Sequence, residues 1–493
     1  MARRIEIDPL TSLGRHAQHV NLAPLVRALR EEAAAVSHGL RDRTVWMINS
    51  AAQGGGVAEM MPGVVTHLRE LGIRAEWVVL ESDDEQFFEL TKRIHNLIHG
   101  EGEPHLSEED RRLFERVNRE NADVLQQSIR AGDVVVVHDP QPMPMADMLR
   151  ENIDITTVWR CHIGLDQETP ATTAAWRFLE PYATGYHHAV FSAPEYVPSW
   201  FEGRSSIIYP ALDPLTAKNH PMRVQTVVSV LERSGLLRMP GPTTGSPFDA
   251  PARRFCDDGT WQPAAAADDI GLLTRPIVTQ VSRWDRLKGF LPLMRGFARY
   301  REGLGGDSAA SDDQGRRLGH TRLVLAGPDP DSISDDPEGR DVLDELCAAY
   351  LTCDSEVRPD IVLVAVPMQD AHVNALIVNA LQRVSTIVVQ NSLREGFGLT
   401  ITEAMWKGVP VLSNSRACGP RQQVRDGVDG RMIGDPEDLD EIANTLRSML
   451  SSDELDAWGQ NAQHRVHEHF LIYSQLGHWV RLLDSLTGAA KAA

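Results

Sequence analysis

Cysteine is scarce, with five in 493 residues at Cys161, Cys256, Cys347, Cys353 and Cys418. They are scattered and form no C-x-x-C pair, which excludes a zinc ribbon and a disulfide framework. Free thiols suit a reducing cytoplasm, the expected location. Positive charge is also short: Lys plus Arg number 49 against 69 Asp plus Glu, a formal net charge of −20 at pH 7. A surface that negative repels nucleic acid and anionic membrane, so neither is an expected partner. No stretch approaches the ~18 consecutive apolar residues of a membrane span. The start, MARRIEIDPL, has no apolar run behind its charges and reads as no signal peptide. No Gly-Lys dipeptide occurs, which removes a Walker A loop, and the turn QGGGVAE lacks the G-x-G-x-x-G spacing of a dinucleotide site. His187 and His188 are adjacent on an apparent strand and point to opposite faces, so they do not share a metal. Asp329 and Asp331 form a D-x-D in a Pro-rich loop that reads as structural. No metal site is expected.

What is present is an apolar fraction of 42% and a charged fraction of 24%, a globular mix long enough for two or three domains. Residues 44–50 and 75–80 read as short buried strands. Between them Val57, Met60, Met61, Val64, Val65 and Leu68 sit at helical spacing. Apolar strands recur at 133–142, 155–164 and 187–193, and the proline-punctuated segment 207–215 reads as a hinge. A second series has strands at 276–282, 322–327, 361–366, 386–390 and 409–413. Its expected helices are 288–301, 338–351, 371–383 and 399–407, with further helices in 436–486. Strands alternating with helices predict two doubly wound α/β halves facing each other, with ligand at the carboxyl ends of the strands. Residues 220–272 are rich in Pro, Gly, Ser, Thr and Asp and read as an insertion or flexible excursion. Residues 303–317 read as a surface loop.

Three segments carry candidate chemistry. Gly54, Gly55 and Gly56 lie at a strand-to-helix turn, where bare backbone N–H groups can approach phosphate or sugar oxygens, or simply form a tight turn. Arg283 follows the strand PIVTQVS, and Lys288 falls in the first turn of the next helix. Lysine there opposes the macrodipole, which an anion between the two cations would explain, although a solvated basic turn is the plain alternative. In NSLREGFGLTITEAMWKGVPVL, Glu395 lies in a loop and Glu403 near the first turn of the following helix. Both carboxylates can face one cleft, while the N–H groups of Phe397, Gly398 and Leu399 point at a ligand on the helix N-terminus.

Taken together, Arg283…Lys288, AGP (326–328) and EGFGLTITEAMWKGVPVL resemble the donor half of the retaining GT-B glycosyltransferases. NSAAQGGGVAEMM, HDPQP, WRCHIG and NALQR…SLREGFG narrow the resemblance to the trehalose glycosyltransferring synthase and retaining trehalose phosphorylase group. It runs over most of residues 44–485. It implies a GT-B fold of two Rossmann-like domains: residues 1–212, with a C-terminal helix in 470–493 packed back on them, and 213–469 with an insertion around 223–272. It implies that Arg283 and Lys288 bind the donor diphosphate, that Glu395 holds the donor sugar beside its anomeric carbon, and that Glu403 contacts the ribose. His162 would lie near the donor glucose, the turn with Gly55 and Gly56 would close over phosphates, and Asp139 would bind the acceptor sugar. The sequence departs from the pattern at Gly164, where the group has an acidic residue.

The implied activity is retaining transfer of glucose from a nucleoside diphosphate glucose to free glucose, giving trehalose. The alternatives are a trehalose phosphorylase using inorganic phosphate and a non-catalytic sugar-nucleotide-binding protein. No cofactor is required on this reading, with stimulation by Mg²⁺ left open. The expected partners are the nucleotide sugar, the free sugar and a second copy of the chain.

Overall fold

The computed structural model describes residues 2–7, 12–36, 39–52, 56–239, 245–304, 313–330 and 337–488. The chain divides into two compact units, Met1–Ala211 with Ile472–Ala493, and Leu212–Leu471.

The first unit is built on seven strands: β1 (Arg3–Ile5), β2 (Thr44–Asn49), β3 (Arg74–Val79), β4 (Val134–His138), β5 (Thr156–Cys161), β6 (His188–Phe191) and β7 (Ser205–Ile207). Their order is β1-β3-β2-β4-β5-β6-β7, with β1 antiparallel and the rest parallel. The strands are apolar runs because both faces are covered; Val134, Val135, Val136 and Val137 are all fully buried. The helix Gly56–Glu70 buries Met61, Val64, Val65 and Leu68, the stripe expected from their spacing. The helix Ile472–Gly488 belongs to this unit, and Gln475 Nε2 donates to the Tyr209 carbonyl (3.1 Å). The chain runs from β2 outward to β3, then returns to β4 on the other side of β2. The crevice of such a sheet opens at that reversal, beyond Asn49 and His138.

The second unit has eight strands: β8 (Arg253–Phe255), β9 (Trp261–Pro263), β10 (Ile277–Val281), β11 (Arg322–Pro328), β12 (Ile361–Val366), β13 (Ile387–Val389), β14 (Val411–Asn414) and β15 (Gly430–Ile433). The order is β15-β14-β13-β10-β11-β12-β8-β9. Alternation along the strands feeds two cores. Leu323, Leu325, Ile361 and Leu363 pack on one face with Phe297, Leu346 and Leu446, and Val324, Ala326, Val362 and Val364 pack on the other. The reversal here lies between β10 and β13, beyond Val281 and Val389.

Within 223–272 the described residues, 223–239 and 245–272, are an ordered insertion and not a flexible excursion. The helix Val224–Arg233 and the segment after it bring Val227, Val230, Leu231, Leu236, Leu237 and Phe248 onto the second face, and β8 and β9 extend the sheet antiparallel. These side chains share that face with Ile377, Ala380 and Leu381 of the helix Ala371–Val384. The 303–317 expectation falls partly outside the described residues, and within it Asp313–Gly319 is helical rather than loop.

Candidate active site

In the second unit the loops after β10 and β13 are stitched together by Gln280, a fully buried residue on β10. Its Nε2 donates to the Lys288 carbonyl (2.8 Å), and its Oε1 accepts the Asn391 N–H (3.0 Å). Leu393 N–H donates to the Leu287 carbonyl (2.8 Å). Lys288 ends a short 3₁₀ turn, Arg286–Lys288, capped by Asp285, rather than lying in the helix as expected. Gly289 follows at φ 64°, and a Cβ there would collide with the Asn391 carbonyl, so only glycine lets the two loops approach. The helix Phe290–Glu302 starts after it.

This stitching brings Lys288 to Glu395. Lys288 Nζ lies 2.7 Å from Glu395 Oε2, and the same oxygen accepts from Ser392 Oγ (3.0 Å) and Gln390 Nε2 (3.3 Å). The two charged side chains are only 17% and 13% exposed, so the pair is largely out of solvent, where charge-assisted bonds are strong. Arg283 is not drawn into this cluster. Its side chain is 74% exposed, with Asp285 at 3.9 Å.

Gly398, at φ 84°, begins the helix Leu399–Trp406 and no side chain caps it; the Ile401 N–H donates to the Gly398 carbonyl (3.0 Å), and the N–H groups before it are those a helix start offers to an anion. Phe397 is buried against Phe470, and Gln423 Nε2 donates to its carbonyl, while Leu399 is exposed. Glu403 sits in the second turn, later than expected, and is buried. Its carboxylate lies 3.6 Å from Lys218 Nζ, and among the described residues no side-chain contact joins it to the Lys288–Glu395 pair. Lys407 Nζ donates to the Glu403 carbonyl (3.1 Å), and burial pulls this ammonium down to about 7 against the opposing pull of Glu403.

In the first unit, Asp139 follows β4 at φ 61°, the sole non-glycine residue at positive φ among the described residues. Such a conformation costs on the order of 1–3 kcal/mol and persists where surrounding bonds enforce it. Here the Asp139 N–H donates to the Arg160 carbonyl (2.8 Å), and its own carbonyl accepts from Trp159 Nε1 (2.9 Å). Its Oδ1 accepts the His162 N–H (2.8 Å). The carboxylate expected to bind acceptor sugar thus spends one oxygen on holding His162. Burial pushes its carboxyl up to about 6.

His162 Nε2 and His138 Nδ1 are 3.0 Å apart. Burial and the Arg160 cation hold both imidazoles neutral, pulling His138 down to about 3 and His162 well below its ordinary range. Gly56 opens its helix with open space around it, and Gly54 and Gly55 lie outside the described residues. At Gly164 a Cβ would run into the ring of buried Tyr196, so the acidic residue expected there does not fit. Asp329 lies 3.5 Å from Arg253, and Asp331 is outside the described residues. Gln280, Gln390, Ser392, His138, Arg160 and Lys218 were not among the expected site residues. For all but Lys218, which lies in a turn segment, the signal was a polar side chain within, ending or following an otherwise apolar strand, as in IVTQV and IVVQNS.

Comparison with known proteins gives this arrangement a context. A family model described as "Trehalose synthase, N-terminal domain" matches residues 47–198, and one described as "Glycosyl transferases group 1" matches residues 371–465. The trehalose synthase of Pyrococcus horikoshii is 32% identical over 451 residues, 91% of this chain and 91% of that one. The trehalose phosphorylase of Grifola frondosa is 23% identical over 89% of this chain but only 56% of its own length. Among solved structures, the α,α-trehalose 6-phosphate synthase of Burkholderia multivorans superposes with a TM-score of 0.61 at 16% identity, covering 91% of this chain and 98% of that one. That likeness carries the fold alone, two Rossmann-like domains of the GT-B kind.

Proposed function

The chain belongs to the trehalose synthase family of glycosyltransferases, and from that premise we propose that it transfers glucose, with retention, from a nucleoside diphosphate glucose to free glucose, forming trehalose. The observation that carries this reading is the Lys288–Glu395 pair at the strand reversal of the second unit, beside the uncapped helix start at Gly398. The helix-end N–H groups and Lys288 neutralise the diphosphate as it departs, and exposed Arg283 is available to close on it. Glu395, held by Ser392 and Gln390, accepts hydrogen bonds from the sugar hydroxyls once Lys288 turns to the phosphate. The anomeric carbon breaks its bond to the phosphate oxygen and forms one to the acceptor hydroxyl on the same face. The hydroxyl proton passes to the departing phosphate, so no protein nucleophile is needed. His162, neutral, contributes a hydrogen bond and not a proton.

A phosphorylase reading has one observation on its side. Glu403 is already paired with Lys218, so a ribose must compete for that carboxylate. Calorimetry separates the two. The synthase reading expects UDP, ADP or GDP to bind to the protein as it stands, with inorganic phosphate binding far more weakly. Phosphate binding without any nucleoside diphosphate binding would replace it with the phosphorylase.

A further inference from the structure

Two imidazoles meet end to end beyond β4 and β5. The ring centres of His138 and His162 are 5.3 Å apart with 15° between the planes, while the facing nitrogens are 3.0 Å apart. The rings therefore lie side by side in nearly one plane, joined by an N–H···N hydrogen bond. A neutral imidazole has one donor nitrogen and one acceptor nitrogen, so this bond has a direction. The other nitrogen of His138 sets it. His138 Nε2 lies 3.4 Å from the thioether sulfur of Met47 on β2, and both residues are buried. Sulfur in a thioether has no proton to give, so Nε2 carries the hydrogen and Nδ1 accepts. The bond partner, His162 Nε2, must then donate, which leaves His162 Nδ1 as a bare lone pair.

Arg160 sits in register with His138 across β4 and β5, so its guanidinium shares that face of the sheet. It is 1% exposed; Nη2 donates to Ser192 Oγ (3.3 Å), while Nη1 is buried with no hydrogen-bond partner. A buried cation left partly unpaired is costly, which points to a role for its field. Among the described residues the charged or titratable groups around the two imidazoles are Arg160 and Cys161 of β5 and Asp139 after β4. Arg160 acts on both rings, and Asp139 and Cys161 act on Arg160. A cation at that place disfavours a second positive charge on either ring.

We propose that Met47, His138 and Arg160 are positioning residues that fix His162 as a neutral imidazole protonated on Nε2, presenting Nδ1 as a hydrogen-bond acceptor to a hydroxyl of the bound hexose. Asp139 completes the device by holding the His162 backbone in place. The inference rests on the reading that His162 meets a sugar, and adds which atom meets it and what determines its protonation.

Long-range ¹⁵N–¹H spectra of the ¹⁵N-histidine-labelled full chain at pH 7 read the tautomer directly, with His162 assigned by its loss in His162→Ala. The expected pattern is neutral and Nε2-protonated; an Nδ1-protonated or doubly protonated ring overturns the proposal. The second readout is turnover against pH. In Arg160→Met one of the causes that hold the imidazole neutral is gone while burial still opposes its charge, so its pKa rises from the wild-type value and turnover gains an acid limb as Nδ1 takes a proton. Wild type lacks the His162 limb and carries only what Asp139 contributes as it titrates near 6, so the role of Arg160 is read from the difference between the two profiles. A variant profile superimposable on wild type overturns the role of Arg160. Should Arg160→Met not fold, as judged by circular dichroism, the wild-type spectrum still decides. If His162→Ala keeps full turnover, the assignment of His162 to the sugar fails; if it loses turnover while Arg160→Met has no acid limb beyond that of wild type, only the present inference fails.

Discussion

Replacing Lys288 with methionine removes one charge and keeps most of the stem. In the free protein this ammonium is the only cation within 4 Å of Glu395 among the described residues, at 2.7 Å. Its loss leaves Glu395 with Ser392 and Gln390 as donors on the same oxygen. The carboxylate therefore stays hydrogen-bonded, and folding stability should fall by about 1–3 kcal/mol, the range for losing one partner of a charged hydrogen bond. The effect on reaction is larger. A positioned donor acting on charge that develops only in the transition state contributes about 2.7–4 kcal/mol, or two to three orders of magnitude in turnover. Ground-state binding of the diphosphate keeps the helix-end N–H groups at Gly398 and should weaken by about tenfold at most. The assay is steady-state turnover with nucleotide glucose, alongside calorimetric affinity for the nucleoside diphosphate and a thermal melt. A kcat within threefold of wild type in a folded variant would refute the assignment of the leaving-group site. A variant that loses affinity and turnover in equal proportion would refute the claim that Lys288 acts chiefly on the transition state.

Glu403→Ala should weaken the nucleotide sugar about tenfold or more while leaving glucose affinity nearly unchanged, since charge-assisted bonds to ribose hydroxyls contribute ~1.5–3 kcal/mol each; equal loss for both ligands would contradict this. Activity should survive EDTA at least in part, because cations and helix-end amides neutralise the diphosphate, and full loss restored only by Mg²⁺ or Mn²⁺ would overturn that. Leu231 is fully buried on the sheet face with Val227, Val230, Leu236 and Leu237, so Leu231→Ala should cost about 2–5 kcal/mol in urea unfolding; a change below 0.5 kcal/mol would mean the helix Val224–Arg233 is not part of the core. Asp139 has its carboxyl raised to about 6 from 3.8, so the native state binds an extra proton between those values. Its contribution to stability is present below about pH 4 and is lost as pH rises through 6, and Asp139→Asn should flatten that part of the melting-temperature profile.

The second-unit strands were legible because β11 and β12 are unbroken apolar runs, RLVLAG and IVLVAV, which only a sheet covered on both faces requires. Glu395 was legible in a loop after a buried strand and Lys288 near a helix start, but their 2.7 Å contact was not. It depends on Gln280 bridging two loops more than 100 residues apart, and local spacing carries no such information. Arg160 and His138 were hidden for the same reason, since their partners are on neighbouring strands. Residues 223–272 misled through composition. Pro, Gly, Ser, Thr and Asp are frequent in the segment, and although TVVSVLERSGLLR reads as helical, nothing local says that its face, Val227, Val230 and Leu231, packs on the sheet. The charged helices Glu85–Ile98 and Glu108–Leu125 were likewise passed over, although Phe87, Leu90, Ile94 and Leu97 mark a buried stripe in the first.

The central claim is the reaction itself, and one NMR tube tests it. Incubation of the protein with glucose and a panel of UDP-, ADP- and GDP-glucose should release nucleoside diphosphate and give a non-reducing disaccharide with both anomeric centres α. Trehalose consumed only when inorganic phosphate is added, with glucose 1-phosphate formed and no nucleotide sugar turned over, would contradict the account.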